Sequence, residues 1–214
     1  MSGPTDYAQN KLVDAYRRGQ TLGAPATRYF GLITCSKGER VNSTAYALND
    51  TIVVKIGTVY SFYKCTTAGT SNASLPGAYL GAIGEAITDG TAVFTEQTAA
   101  LDAATAFVEV SGGSYARVGV AASLANFAGT QSAGSTTAST GTNGTTSNNV
   151  AVTWPTPTAQ WHPTGGAIVG FVEYDAATGG NAWDWTLLTA PKNVNNGDVA
   201  PSIGISAATS KFGN

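Results

Sequence analysis

The chain has 214 residues, of which 43% are hydrophobic and only 11% charged, with a net charge of −2. That length can bury a real core, as one large β domain or two small ones. The charge leaves no basic footprint for nucleic acid or an anionic membrane surface, and no run of eighteen apolar residues is present to cross a bilayer.

The start, MSGPTDYAQNKLVDAYRRG, carries charges where a secretory leader needs its apolar stretch, so assembly in a bacterial cytoplasm is expected. The same segment is the one stretch that reads as a helix. Tyr7, Ala8, Leu12, Ala15 and Tyr16 recur at three-to-five spacing, Pro4 and Thr5 suit a start, and Gly19 suits a stop. Its single apolar stripe should dock on a sheet or on a neighbouring subunit, which makes Tyr7, Leu12 and Tyr16 candidate oligomer contacts.

After the helix the chain reads as short strands broken by turn residues. The expected strands are Thr27–Cys35, Thr51–Ile56, Val59–Thr66, Ala92–Thr95, Ala106–Val110, Tyr115–Ala121, Val150–Trp154, Ala167–Tyr174, Ala182–Leu188 and Val199–Ile205. Turn sequences such as NDT, GGS, DAATGGN and NVNNGD separate them. Strands this short and this regularly punctuated predict a mainly β fold, a β-sandwich-like body with one N-terminal helix. The two cysteines, Cys35 and Cys65, lie in separate apolar runs and read as buried reduced thiols, bonded only if the runs become neighbours.

Between Glu39 and Leu101 the sequence has the look of a small β module. In TVYSFYKCT both faces of the strand carry rings, so Tyr60, Phe62 and Tyr63 are candidates for one buried face and one surface free for a partner. The run ITDGTAVF places Asp-Gly between β-formers, a strong hairpin signal. Residues 39–101 are therefore read as a small module, between a first segment 1–38 and the rest of the body at 102–214, and the resemblance described below implies that it is an insertion. Removing the insert is expected to leave a folded body. Residues 128–149, AGTQSAGSTTASTGTNGTTSNN, have no apolar side chain larger than alanine and read as a flexible loop, or as an arm that orders against a neighbour.

Chemistry is sparse. The only histidine, His162, has no acidic neighbour in sequence, and no motif for a metal, a phosphate or a cofactor is present. Glu173 and Asp175 straddle Tyr174 and could pair as acid and base, yet they stand where a strand enters a turn, the usual place for solvated acids. No catalytic, cofactor-binding or metal residue is assigned, and no enzymatic activity is expected. Trp183 and Trp185 are two apart and should leave one strand face together, with Asp184 opposite. They are the second pair of candidate surface contacts, although two such rings also suit a sandwich core.

Two stretches resemble phage proteins. YALNDTIVVKIGTVYSFYKCTTAGTSNASLP followed by ITDGTAVF resembles a small β module of phage tail and virion-surface proteins, some of which are described as similar to carbohydrate-binding modules. Phe94 stands where that module often ends in Trp. KLVDAYRRGQTLGAPATRYFGLIT, VEVSGGSYARVGV, VTWPTPTAQW and DAATGGNAWDWTLLTAPKNVNNGD resemble a second family, of the tail-fibre-protein type. The resemblance implies a virion structural protein, a tail fibre or tail-associated host-adhesion subunit, with capsid decoration as the alternative and a polysaccharide depolymerase as a remote one. It also implies other virion proteins and a host surface glycan as partners, and gives the homo-oligomer expected from the low charge and the helix stripe the symmetry of a trimer.

Overall fold

The computed structural model describes residues 2–80, 83–142 and 144–211. The described residues form fifteen strands and two α-helices, a mainly β fold. The chain begins with a short strand, β1 (Ser2–Pro4), and turns at once into helix α1 (Asp6–Arg18). Thr5 is the N-cap, its hydroxyl accepting the Ala8 amide at 3.3 Å, and Gly19 closes the helix with a left-handed φ of 66°. Asp6 in the first turn and Arg17 and Arg18 in the last complement the helix dipole. The Thr5 hydroxyl also donates to the Ala182 carbonyl at 2.6 Å, which ties the helix start to the sheet.

The central sheet has five strands. They are β1, β2 (Thr27–Cys35), β9 (Val118–Ala121), β12 (Ala167–Tyr174) and β13 (Ala182–Lys192), in the order β1-β13-β12-β2-β9, every pairing antiparallel. Residues alternate between its faces. On β2, Ile33 and Cys35 join one cluster while Phe30 and Leu32 join the other. Two register shifts interrupt the alternation between β12 and β13, and the second leaves Trp183 as the extra residue opposite the Glu173–Tyr174 step.

The insert supplies a second layer. Strands β4 (Thr51–Ile56), β5 (Val59–Thr67), β7 (Ala86–Asp89) and β8 (Ala92–Glu96) form an antiparallel sheet in the order β4-β5-β8-β7. The anticipated Asp-Gly hairpin joins β7 to β8, with Asp89 opposite Ala92 and Gly90 at φ 68°. One face of this sheet covers the insert's own cluster of Tyr46, Ile52, Val54, Tyr63, Cys65, Tyr79, Ile87 and Phe94. The other presents Val53, Tyr60 and Phe62 to Ile33, Val169, Val172 and Trp185 of the body, with Leu101 of helix α2 (Thr98–Asp102) in the same cluster. The two sheets thus share one hydrophobic cluster at their seam, while residues 46–94 also hold a cluster of their own.

The Gly/Ser/Thr stretch after β5 is a built loop. Arg40 clamps it, with its guanidinium on the Asp89 carboxylate and on the Asn72 and Ser74 carbonyls at 2.9 and 3.1 Å. Asp89 also accepts from the Asn72 amide and the Tyr79 hydroxyl. The more polar segment after Phe127 curls on itself: the Gly129 amide donates to Ser135, the Thr130 amide to Ser139 and the Gly141 amide back to Thr130.

Four strand expectations shrink, the one over Val150–Trp154 to the two residues of β11 (Val152–Thr153). Residues 106–110 make only an isolated bridge, Ile33 to Glu109, while 115–121 and 199–205 keep the shorter strands β9 and β14 (Ser202–Ile203). Residues 108 and 110 still bond to β2 through their backbones, the Thr34 amide donating to the Val108 carbonyl at 2.8 Å and the Val110 amide to the Leu32 carbonyl at 3.0 Å, and side chains add to this: the Tyr115 hydroxyl donates to Glu109 at 2.8 Å and accepts the Leu32 amide, and Arg117 grips Glu109. Both cysteines are free and buried, and burial raises the Cys35 thiol to about 11.

Candidate functional site

The five candidate aromatic side chains are all buried: the tryptophans take the core alternative, and neither face of the Tyr60–Tyr63 strand is left free for a partner, which corrects that part of the expectation. Tyr60, Phe62 and Trp185 fill the seam between the two sheets, where Trp185 Nε1 donates to Asp102 at 2.9 Å. Tyr63 turns into the insert's own core and donates its hydroxyl to the Tyr79 carbonyl at 3.1 Å. Trp183 does not share a face with Trp185, because the bulge at this point of β13 breaks the two-residue period. It lies instead against Tyr7 of α1, ring centroids 5.5 Å apart and nearly perpendicular, with the Arg28 guanidinium 4.8 Å from its ring centre. Of the helix stripe, Tyr7 is therefore engaged within the chain. Leu12 is partly exposed, and Tyr16 is 83% exposed.

Trp183 and Leu12 belong to the wall of a cavity of about 400 Å³. Helix α1 supplies Ala8 and Leu12, and Leu22 and Phe127 extend the apolar side. The central sheet supplies Arg28, Glu173, Trp183 and Asp184, and strands β10 (Thr145–Ser147) and β15 (Thr209–Lys211) bring Ser147 and Ser210. Glu173 on β12 is the direct cross-strand partner of Asp184 on β13, so two carboxyl groups face the same space.

This pair is electrostatically costly. Burial first, and then the neighbouring Asp184, push the Glu173 carboxyl up to about 7, with Arg28 opposing. Burial pushes Asp184 up to about 6, against the Ser210 hydroxyl and Arg28. Asp184 accepts from Ser210, whereas Glu173 has no hydrogen-bond donor among the described residues. The Ser147 hydroxyl, also buried, makes no hydrogen bond. Two acids this close titrate as a unit, so near neutral pH the pair retains part of a proton.

Asp175, the partner expected for Glu173, does other work. It accepts the Asn181 amide at 2.7 Å and the Asn181 side chain at 2.8 Å, closing the turn between β12 and β13, and those bonds hold its carboxyl below the usual range. Asp184 escaped the sequence reading because strict alternation puts it opposite the tryptophans. Only the β12–β13 register brings it to Glu173. His162 makes local contacts with Gln160 and Pro163. Among the described residues no three His, Cys, Asp or Glu side chains gather as metal ligands, and no helix is long and apolar enough to cross a membrane.

No curated protein matches the chain. A family model described as podophage GP4 fiber I protein gp80 matches residues 81–210, from just before β7 to β15, more than half of the sequence. The Lys11–Thr34 stretch and the TTAGTS turn of the phage resemblance lie outside that range. The matched range holds the strands that bear Glu173 and Asp184 and the Trp183 bulge between them, and the chain belongs to this podophage fibre protein family, a phage structural protein of the virion.

Proposed function

We propose that this fibre protein is a tail fibre or tail-associated host-adhesion subunit and not an enzyme. The family match over residues 81–210 carries that reading. The thin charge, 11% of residues, supports it as well, because a surface so poor in charge is suited to being covered by other virion proteins. A host surface glycan is the proposed receptor. Counting copies of the chain in purified particles tests the address. A handful of copies supports the tail, whereas a capsid-wide number overturns it in favour of head decoration, and release of reducing sugar from host polysaccharide overturns the non-enzymatic reading.

We further propose a homo-oligomer, a trimer, assembled in the bacterial cytoplasm with α1 in the contact. Leu12, Val13 and Tyr16 leave apolar surface on this helix, with Tyr16 almost fully exposed. Closed symmetry is the default for identical subunits. Replacing Leu12 and Tyr16 with Asp should lower the mass seen by light scattering to that of a monomer while the circular dichroism of the β fold persists. A wild-type chain that is already monomeric at tens of micromolar would sink the proposal.

A further inference from the structure

The cavity beside α1 has an unusual inventory for a buried space. Three of its oxygen-bearing groups have unused acceptor capacity: Glu173 has no donor among the described residues, the Ser147 hydroxyl has no hydrogen bond, and the Asp184 carboxyl meets only the Ser210 hydroxyl and the Trp185 amide. The only cation in the lining is Arg28, and it is already held over the Trp183 ring. Helix α1 lends the lining Ala8 and Leu12, β10 lends Thr146 and Ser147, and β15 lends Ser210, so no other titratable group of the lining answers the acids. With both carboxyls ionised the lining carries two negative charges against one positive.

We propose that this cavity binds a primary ammonium group, seated among Glu173, Asp184 and Ser147, with the apolar body of the ligand against Leu12, Leu22 and Phe127. An ammonium has three donors and no acceptor, which complements three oxygen acceptors, and its single charge balances the lining. A neutral sugar fits less well, because one side of the Trp183 indole is taken by Arg28 and Tyr7 packs against the same ring. A hard divalent cation would want six or more oxygens, and two carboxyls beside an apolar wall do not supply them. The inference does not depend on where the fibre sits on the particle.

Binding draws both acids into their ionised forms, so it releases a proton. The test is titration calorimetry of the full chain with hexylammonium chloride in buffers of different ionisation enthalpy, beside 1-hexanol, glucose and calcium chloride. Hexylammonium should bind with net proton release and at least about ten-fold more tightly than hexanol. Glu173→Gln should weaken it by a similar factor, and hexanol should be indifferent to that change. Should the variant fail to fold, the ammonium-against-alcohol comparison on the wild type decides alone. Equal affinity for hexanol, binding of glucose or calcium in place of the amine, or no heat with any probe would each overturn the proposal. Competition by Nα-acetyl-lysine methylamide would support a protein lysine as the natural occupant, and its absence beside hexylammonium binding would support a free amine.

Discussion

The two faces of the central sheet are made from the same strands and have opposite characters. Toward the insert, Ile33, Val169, Val172 and Trp185 meet Val53, Tyr60, Phe62 and Leu101, and the one polar atom of that tryptophan finds Asp102. On the other face, Phe30, Leu32 and Phe171 give way at the α1 end to Arg28, Glu173 and Asp184 around a cavity. A seam closed on both sides can be filled with apolar volume to interior density. The far end of the second face is covered by one helix, by loops and by the small β10–β15 pair, and there the chain tolerates two acids and an unbonded hydroxyl. The difference teaches that stability and binding capacity are divided between faces of one sheet, with the bulge at Trp183 as the switch between them.

Deleting residues 39–101 should break the comparison most severely. It strips the cover from Ile33, Val169, Val172 and Trp185, so the remaining chain is expected to lose cooperative unfolding in denaturant. A sharp transition in the shortened chain would mean that the body holds its core alone. A single change, Trp185→Ala, should cost about 3–5 kcal/mol in urea unfolding, from the cavity it opens and the Asp102 carboxyl it leaves without that partner.

The cavity face should respond to pH through Glu173. Glu173 holds its proton more tightly in the fold, with a carboxyl raised from 4.5 to about 7. The folded state therefore binds more protons than the unfolded chain between those values, and the Glu173 contribution to stability falls as pH rises through that window. Glu173→Gln should flatten this part of the profile, gaining about 1–3 kcal/mol over the parent above pH 7. A parallel profile for the variant would show that the carboxyl is solvated in the fold. The smallest effect is expected at the roof, where Thr5→Ala removes the helix cap and should cost about 1 kcal/mol in the same unfolding assay.

Much of the framework was legible because it is local. Thr27–Cys35, Thr51–Ile56 and Ala167–Tyr174 are strands with the bounds that their β-branched and aromatic runs suggest, and Thr5 and Gly19 bracket the helix as their chemistry requires. The short strands were not legible. Strand β1 contains glycine and proline and exists only because β13 offers an edge, with Gly3 opposite Trp185. Helix α2 is too short to show a period, and Leu101 settles it by burial in the seam.

What the amino-acid sequence determined by itself was the mainly β class, the capped helix, the Asp-Gly hairpin and the poverty of catalytic motifs, because each depends on residues within a turn or a strand of one another. The tertiary structure alone decided which rings are covered and which acids meet. Tyr60 and Phe62 became core because the insert's sheet lies on the body, and Glu173 found Asp184 in place of Asp175 because the β12–β13 register sets the two acids directly opposite each other. Both outcomes follow from how strands meet, by packing of one sheet on another or by cross-strand register, and no period along a single strand records them.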